Sequence, residues 1–478
     1  MKKTAALLLS VLMTVLCLVP AGAMSADEWK SYISENTEIE KAVHVSNGNR
    51  DSERFFTWYG DSEDCKVYIS RSEDMSDSLE FEGKGTLNPQ GDYTERVFAD
   101  GLEAGIYYYV CESEGFKSSP ATVSVTQGAD FSAMYVTDVH MTRNYDTDNA
   151  EMIENENQFN NMLEKASEKG AQLLLSSGDQ ATNGERIEYT AFTSSPVIKN
   201  MSIALCIGNH DKKDIDYRYF ASYPDIKYPG FKAYVGKDYW FTKGDVLFMV
   251  LDVNCADTVA HRAFMQNAVL SNPDIKWRVC VFHNDLFGGR IESRETENRS
   301  LRLIFVPLMD EFMIDLVLMG HSHYYTQSNV IYGGRTVEKT ENNSVIDNAK
   351  GTVYVVSGSA REGRYVDGGE IPPLGKHIGY DYLTEKGIYN ILDFSEDSII
   401  LSSYTLESDE PFNTLTLNKT DAKGGHKISL SGIWNLPARL ISVIAAISTN
   451  IDRFSTLKEK GIHIPFGEAL FGIKKVYN

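Results

Sequence analysis

The stretch Phe131-Ser132-Ala133-Met134-Tyr135-Val136-Thr137-Asp138-Val139-His140 decides how this chain reads. An apolar run ends abruptly in Asp-x-His. A carboxylate and an imidazole two residues apart suit a hard-to-borderline divalent metal. Alone the pair says little, because a single histidine is more often a satisfied core residue. Four later apolar runs end the same way. Ala171–Ser177 stops at Gly178-Asp179, and Met201–Ile207 at Gly208-Asn209-His210-Asp211. Trp277–Phe282 stops at His283, and Ile314–Met319 at Gly320-His321-Ser322-His323. Helical patterns separate the runs. Phe159, Met162, Leu163 and Ala166 share one face of a helix predicted over Glu154–Lys169, which Gly170 stops. Thr258–Leu270 and Leu301–Met313 read as further helices. Val246–Leu251, Thr352–Val356, Tyr389–Asp393 and Ser398–Leu401 read as further strands. Such alternation predicts an α/β layered domain. Ligands in these folds gather beyond the carboxyl ends of strands. Five of the ten histidines fall at those ends.

With 478 residues, the chain is too long for one ordinary domain. At 42% hydrophobic and 24% charged it can bury a sizeable core. A formal charge of -21 leaves no broad basic face, which argues against general nucleic-acid binding. From about Glu40 to Thr126 the texture is all-β. Phe55–Tyr59, Lys66–Ile69, Gly105–Val110 and Thr122–Val125 are separated by turn-rich stretches, predicting a small β-sandwich over 40–127. It carries no catalytic cluster and reads as a scaffold or spacer. The α/β domain spans 130–405.

The first 23 residues read as a signal peptide. Lys2 and Lys3 precede an apolar Ala5–Val19, Pro20 breaks it, and Ala21-Gly22-Ala23 fits a cleavage site. A secreted or cell-envelope location follows. Residues 421–478 read as a helical extension, with Leu440, Val443, Ile444 and Ile447 on one face. That face is too short to span a bilayer but could touch a membrane surface. Cys65 and Cys111 share the β-sandwich and could pair. Cys206 and Cys280 sit in apolar runs and read as buried small hydrophobes.

The set Asp138-Val139-His140, Gly178-Asp179, Gly208-Asn209-His210-Asp211, His283 and Gly320-His321-Ser322-His323 resembles, in order, the motifs of the calcineurin-like metallophosphoesterase superfamily. The resemblance implies a β-sandwich flanked by helices, preceded here by a fibronectin type III-like domain, an arrangement similar to the purple acid phosphatase branch. It also implies two metal ions, Fe, Mn or Zn. Asp179 resembles the bridging carboxylate, which holds cations ~3.5–4 Å apart. Asp138, His140 and His323 would complete the first site, and Asn209, His283 and His321 the second. A metal-bound hydroxide would attack phosphorus in line. His210 would serve the leaving oxygen, oriented by Asp211. Arg143, Arg290 and Arg294 are candidates for binding phosphate. The implied substrate is a phosphorylated small molecule, a monoester first and a nucleotide or lipid-headgroup diester second. A catalytically idle surface-binding protein is the rival reading. One position departs from the branch: Thr182 stands where it has an iron-ligating tyrosine, which points toward the general metallophosphoesterases.

Overall fold

The computed structural model describes residues 37–126, 128–142, 150–224, 238–255, 257–287, 292–363 and 375–420. The predicted signal peptide, the 421–478 extension, Arg143 and Arg290 lie outside these residues. Among the described residues no helix is long and apolar enough to cross a membrane.

Three consecutive parallel strands set up the site: β9 (Phe131–Val136), β10 (Ala171–Ser176) and β11 (Ser202–Leu205). They are numbered after eight strands of the N-terminal unit, given below. Along β9 the side chains alternate between two cores, as the period of a strand requires. Phe131, Ala133 and Tyr135 pack toward a second sheet, while Met134 and Val136 pack with Phe159, Met162, Leu163 and Ala166. Those four residues lie on α1 (Ala150–Glu168), the helix expected from their spacing. The second sheet holds β12 (Tyr239–Lys243), β13 (Val246–Val250), β14 (Trp277–Val281), β15 (Leu316–Met319) and β20 (Val353–Val356), with β13, β14, β15 and β20 parallel. Antiparallel β22 (Ile388–Phe394), β23 (Ser398–Thr405) and β24 (Asn413–Asn418) extend the first sheet beyond β9. Cys206 and Cys280 are buried as expected.

The N-terminal unit is more than a spacer. Its strands are β1 (His44–Asn47), β2 (Arg54–Gly60), β3 (Asp64–Ser70), β4 (Leu79–Leu87), β5 (Tyr93–Ala99), β6 (Gly105–Ser113), β7 (Phe116–Lys117) and β8 (Ala121–Val125). β1 pairs in parallel with β11, Val45 opposite Ser202, so one continuous 15-stranded sheet runs from β24 through β9 and β11 into the unit. The unit still closes on its own core of Trp58, Val67, Val97, Tyr109 and Val123, because β4 pairs with β5 on one edge and β3 on the other. Polar anchors cross the seam to α2 (Arg186–Phe192) and α3 (Asp216–Phe220). Arg186 makes a two-pronged bond to Asp92, 2.7 Å at each prong. Half-buried Arg96 donates to Tyr219 O and Ser222 Oγ, both at 2.7 Å. Cys65 and Cys111 are buried on neighbouring strands and are not joined by a disulfide, so the pair conceivable from the sequence does not form.

Candidate metal centre

Every polar strand end singled out in the sequence arrives at one place. Asp138 and His140 follow β9, Asp179 follows β10, and Asn209 and His210 follow β11. His283 follows β14, and His321 and His323 follow β15. All lie at carboxyl ends of parallel strands. The backbone there is strained. Asp138 (φ 51°), His140 (50°), Asp179 (54°), His321 (73°) and His323 (62°) occupy the left-handed region. Such non-glycine residues cost on the order of 1–3 kcal/mol each and persist only where the surroundings impose them. Here a ladder of main-chain bonds imposes them: Asp138 N to Gly178 O (3.0 Å), His140 N to Asp179 O (2.9 Å) and Met141 N to Gln180 O (2.9 Å). Among the glycines that precede Asp179, Asn209 and His321, Gly178 eases its turn at φ 113°. Gly208 and Gly320 serve close approach, since a Cβ on either would collide with the Asp179 or Asp138 carboxylate.

The donor atoms converge. His140 Nε2 lies 3.6 Å from Asp138 Oδ1, 3.7 Å from Asp179 Oδ2 and 3.3 Å from His323 Nε2. His323 Nε2 is 3.2 Å from Asp138 Oδ1. His283 Nε2 is 3.2 Å from Asp179 Oδ2 and 3.0 Å from Asn209 Oδ1. One oxygen, Asp179 Oδ2, therefore faces both histidine groups. His321 packs its ring edge-on against His283, centroids 5.1 Å apart, and its main-chain N–H donates to Asp138 Oδ2 at 2.8 Å. The other oxygen, Asp138 Oδ1, is buried and accepts no hydrogen bond. A buried carboxylate oxygen left this way is costly unless something cationic meets it. Asp138, His140 and His323 offer ligand atoms within 4.8 Å of one another, as do Asp138, Asp179 and His283. This oxygen and imidazole set fits Fe, Mn or Zn.

Electrostatics agree. Burial pushes His140 down to about 4, so the ring stays neutral, the form that binds metal. Burial works to raise Asp179, but His283 and His140 hold it at about 2. Burial likewise opposes charge on His283, yet Asp179 and Asp138 lift it to about 9. The two carboxylates thus draw positive charge into the pocket.

Several neighbours were not foreseen. His283 Nδ1 donates to Ser177 O at 3.0 Å, which aims Nε2 at Asp179 and Asn209. Thr182 Oγ1 lies 3.3 Å from His140 Nδ1. Ser359 Oγ donates to Asp138 O at 2.8 Å. Lys213 Nζ is 2.8 Å from both Thr182 O and His210 Nδ1. A carbonyl oxygen only accepts, so His210 Nδ1, also 2.8 Å from Thr182 O, donates there beside the Lys213 ammonium that donates to the same oxygen. His140, Asp179 and His210 lie within the same 4.8 Å reach. None of these contacts has a local sequence mark beyond a Ser, Thr or Lys near a motif.

Asp211 corrects the sequence reading. Its carboxylate does not touch the His210 ring. Oδ2 accepts from Asp179 N (2.7 Å) and Gly208 N (2.8 Å), and Oδ1 from Ala181 N (3.1 Å) and Tyr189 Oη (3.3 Å). It ties the Asp179 and Asn209 turns together, and burial plus the Asp179 charge push it up to about 7. Of the three candidate arginines only Arg294 falls within the described chain. It lies on α4 (Glu292–Glu311), where the backbone alone is described.

Comparison with known proteins places this geometry. Residues 132–325 match the family model for calcineurin-like phosphoesterases. Two uncharacterized proteins of Mycobacterium tuberculosis, one from each of two strains, are 30% identical over 91 residues. The match spans 18% of this chain and 17% of theirs. A purple acid phosphatase from yellow lupin (Lupinus luteus) seeds superposes with a TM-score of 0.63 at 14% identity, covering 79% of this chain and 74% of its own. PhoD superposes at 0.54 and 11% identity, covering 84% and 98%. At these identities the likeness is one of fold. The similarity to calcineurin-like phosphoesterases is carried by residues 132–325 of this chain.

Proposed function

We propose that the protein is a metal-dependent phosphoric ester hydrolase acting on phosphomonoesters of small molecules. The observation that carries this reading is the shared Asp179 Oδ2, facing His140 on one side and His283 on the other, beside a buried Asp138 Oδ1 that accepts no hydrogen bond and faces His323 Nε2 at 3.2 Å. Asp138, His140, Asp179 and His323 would hold one cation, and Asp179, Asn209, His283 and His321 a second. When bound, the pair supplies charge neutralisation for the phosphoryl oxygens and acidifies a water for attack. The chain's own residues supply the rest. Asn209 adds a neutral oxygen, which keeps the pocket's negative charge low enough to admit a phosphate. His210, held by its Nδ1 contact with Thr182 O, would serve the leaving oxygen through Nε2. Asp211 keeps the two ligand-bearing turns in register.

The N-terminal Lys2, Lys3 and apolar Ala5–Val19 support action outside the cytoplasm. A membrane-surface contact of residues 421–478 rests on their sequence pattern alone.

The test is hydrolysis of generic phosphomonoesters and phosphodiesters by the purified protein, with and without chelator, resupplied with Mn, Zn or Fe. Chelator-sensitive monoester cleavage supports the proposal. Diester cleavage alone redirects the substrate class, and no cleavage with any metal sinks the enzyme reading.

A further inference from the structure

We infer that Thr182 is a positioning residue for His140, the last link of a hydrogen-bond relay that starts at Arg361 and fixes which ring nitrogen faces the metal pocket. The inference rests on the metal-site reading above and extends it beyond the ligands.

The relay can be read donor by donor. Arg361 lies on the loop after β20 and is only 9% exposed. It pairs with Glu151 in the first turn of α1. Its Nη1 donates to Thr142 Oγ1 at 2.8 Å. A guanidinium has no lone pair, so Thr142 must accept there. The single hydroxyl proton of Thr142 goes to His140 O, 2.8 Å away. Thr182 Oγ1 lies 2.7 Å from Thr142 Oγ1. Thr182 Oγ1 also lies 3.4 Å from His140 O, but that carbonyl already accepts from Thr142 at 2.8 Å, so the Thr182 proton goes to the shorter contact with Thr142 Oγ1. The remaining lone pairs of Thr182 Oγ1 then face His140 Nδ1 at 3.3 Å, so Nδ1 carries the ring proton. A neutral imidazole has one N–H, which leaves Nε2 with a free lone pair. Nε2 is the atom that faces Asp138, Asp179 and His323.

The relay holds the ring from several sides. Arg361 also reaches His140 O at 3.4 Å, and Asn155 Nδ2 donates to the same carbonyl at 3.3 Å. His140 sits at φ 50°, a conformation that persists only where its surroundings impose it. The Thr182 carbonyl meanwhile accepts from Lys213 Nζ and from His210 Nδ1, both at 2.8 Å. One residue therefore touches the proposed ligand through its side chain and His210 through its main chain. Only the first contact changes when the side chain is replaced.

The experiment is a Co²⁺ titration of metal-free protein, followed by visible absorption, for wild type, Thr182→Val and Thr182→Ser. Valine keeps the shape and removes the hydroxyl; serine keeps the hydroxyl. The relay predicts about 10- to 100-fold weaker Co²⁺ binding for valine, the range typical of lost partners behind a metal-bound histidine. It predicts an altered absorption spectrum for valine and near wild-type binding and spectrum for serine, with the melting temperature little changed in both. Arg361→Met should weaken binding in the same direction. Wild-type affinity and spectrum in Thr182→Val overturn the assignment, as does equal loss in valine and serine. Intact Thr182-dependent Co²⁺ binding without phosphoester hydrolysis defeats the proposed function and leaves the relay standing.

Discussion

Replacing Asp211 separates two accounts of the same residue. Its two oxygens serve three main-chain N–H groups and one phenol, at 2.7, 2.8, 3.1 and 3.3 Å, in a fully buried position. Asparagine has one acceptor oxygen. That oxygen can keep the two short bonds from Asp179 N and Gly208 N. The amide NH2 then confronts Ala181 N–H, while Tyr189 can rotate its hydroxyl and accept. One buried donor is stranded, at about 1–3 kcal/mol. Alanine strands all three main-chain donors, roughly 3–9 kcal/mol on the same scale, which approaches the whole stability of a typical domain. Relief from burying a carboxylate offsets part of either loss, since Asp211 sits at about 7. At about 2–4 °C per kcal/mol, Asp211→Asn should lower the melting temperature by several degrees and Asp211→Ala by far more. Metal affinity should fall with it, because the Asp179 and Asn209 turns lose their tie. Thermal denaturation and metal titration of both variants provide the assay. If Asp211→Asn lost hydrolysis but kept its melting temperature and metal affinity, the residue would be serving His210 after all, and the tie would be wrong.

Three further outcomes are expected. His210→Ala should lower kcat/KM by about 10²–10⁴-fold on alkyl phosphates and much less on an aryl phosphate whose leaving group needs no proton; equal losses on both would remove His210 from that role. Lys243 is buried with its ammonium 3.6 Å from Asp51 Oδ1, and burial pushes it down to about 8. The unfolded chain therefore binds more protons between about pH 8 and the ordinary lysine value near 10.4, so stability should rise with pH across that window. Lys243→Met should stabilise the protein at pH 7 by up to about 3 kcal/mol and flatten that rise, with Arg54 still holding Asp51 at 3.0 Å; urea midpoints at pH 7 and pH 9.5 would show it. Arg96→Met removes the donors that hold Tyr219 O and Ser222 Oγ across the seam, and should destabilise by about 1–3 kcal/mol in urea denaturation. No change there would mean the β unit is the loose spacer its sequence suggests.

The parts legible in the sequence were those written in contiguous residues. Strand ends carrying Asp138, Asp179, Asn209, His283 and His323 stand out because an apolar run and its polar tip are adjacent in the chain. Helix α1 was legible because Phe159, Met162, Leu163 and Ala166 repeat with the helical period. What escaped was relational. Pairing of β1 with β11 joins residues more than 150 positions apart, and His44-Val45-Ser46-Asn47 has no strand pattern of its own. β4, Leu-Glu-Phe-Glu-Gly-Lys-Gly-Thr-Leu, alternates with period two, but two of its three half-buried positions are Gly83 and Gly85, which carry little apolar signal. Thr182 and Arg361 act through hydroxyl and guanidinium geometry that no spacing encodes. Asp211 was misread because its place in the motif suggests a partner for His210, whereas its partners are main-chain amides from two separate turns.

The central claim is that five strand ends hold two metal ions bridged by Asp179. Metal content per chain, measured by elemental analysis of wild type and Asp179→Ala beside their hydrolysis rates, tests it most directly. The account predicts close to two ions in the wild type, with both the metal and the hydrolysis lost together in the variant. A wild type that hydrolyses phosphoesters without bound metal, or a variant that keeps both ions and full rate, would contradict it.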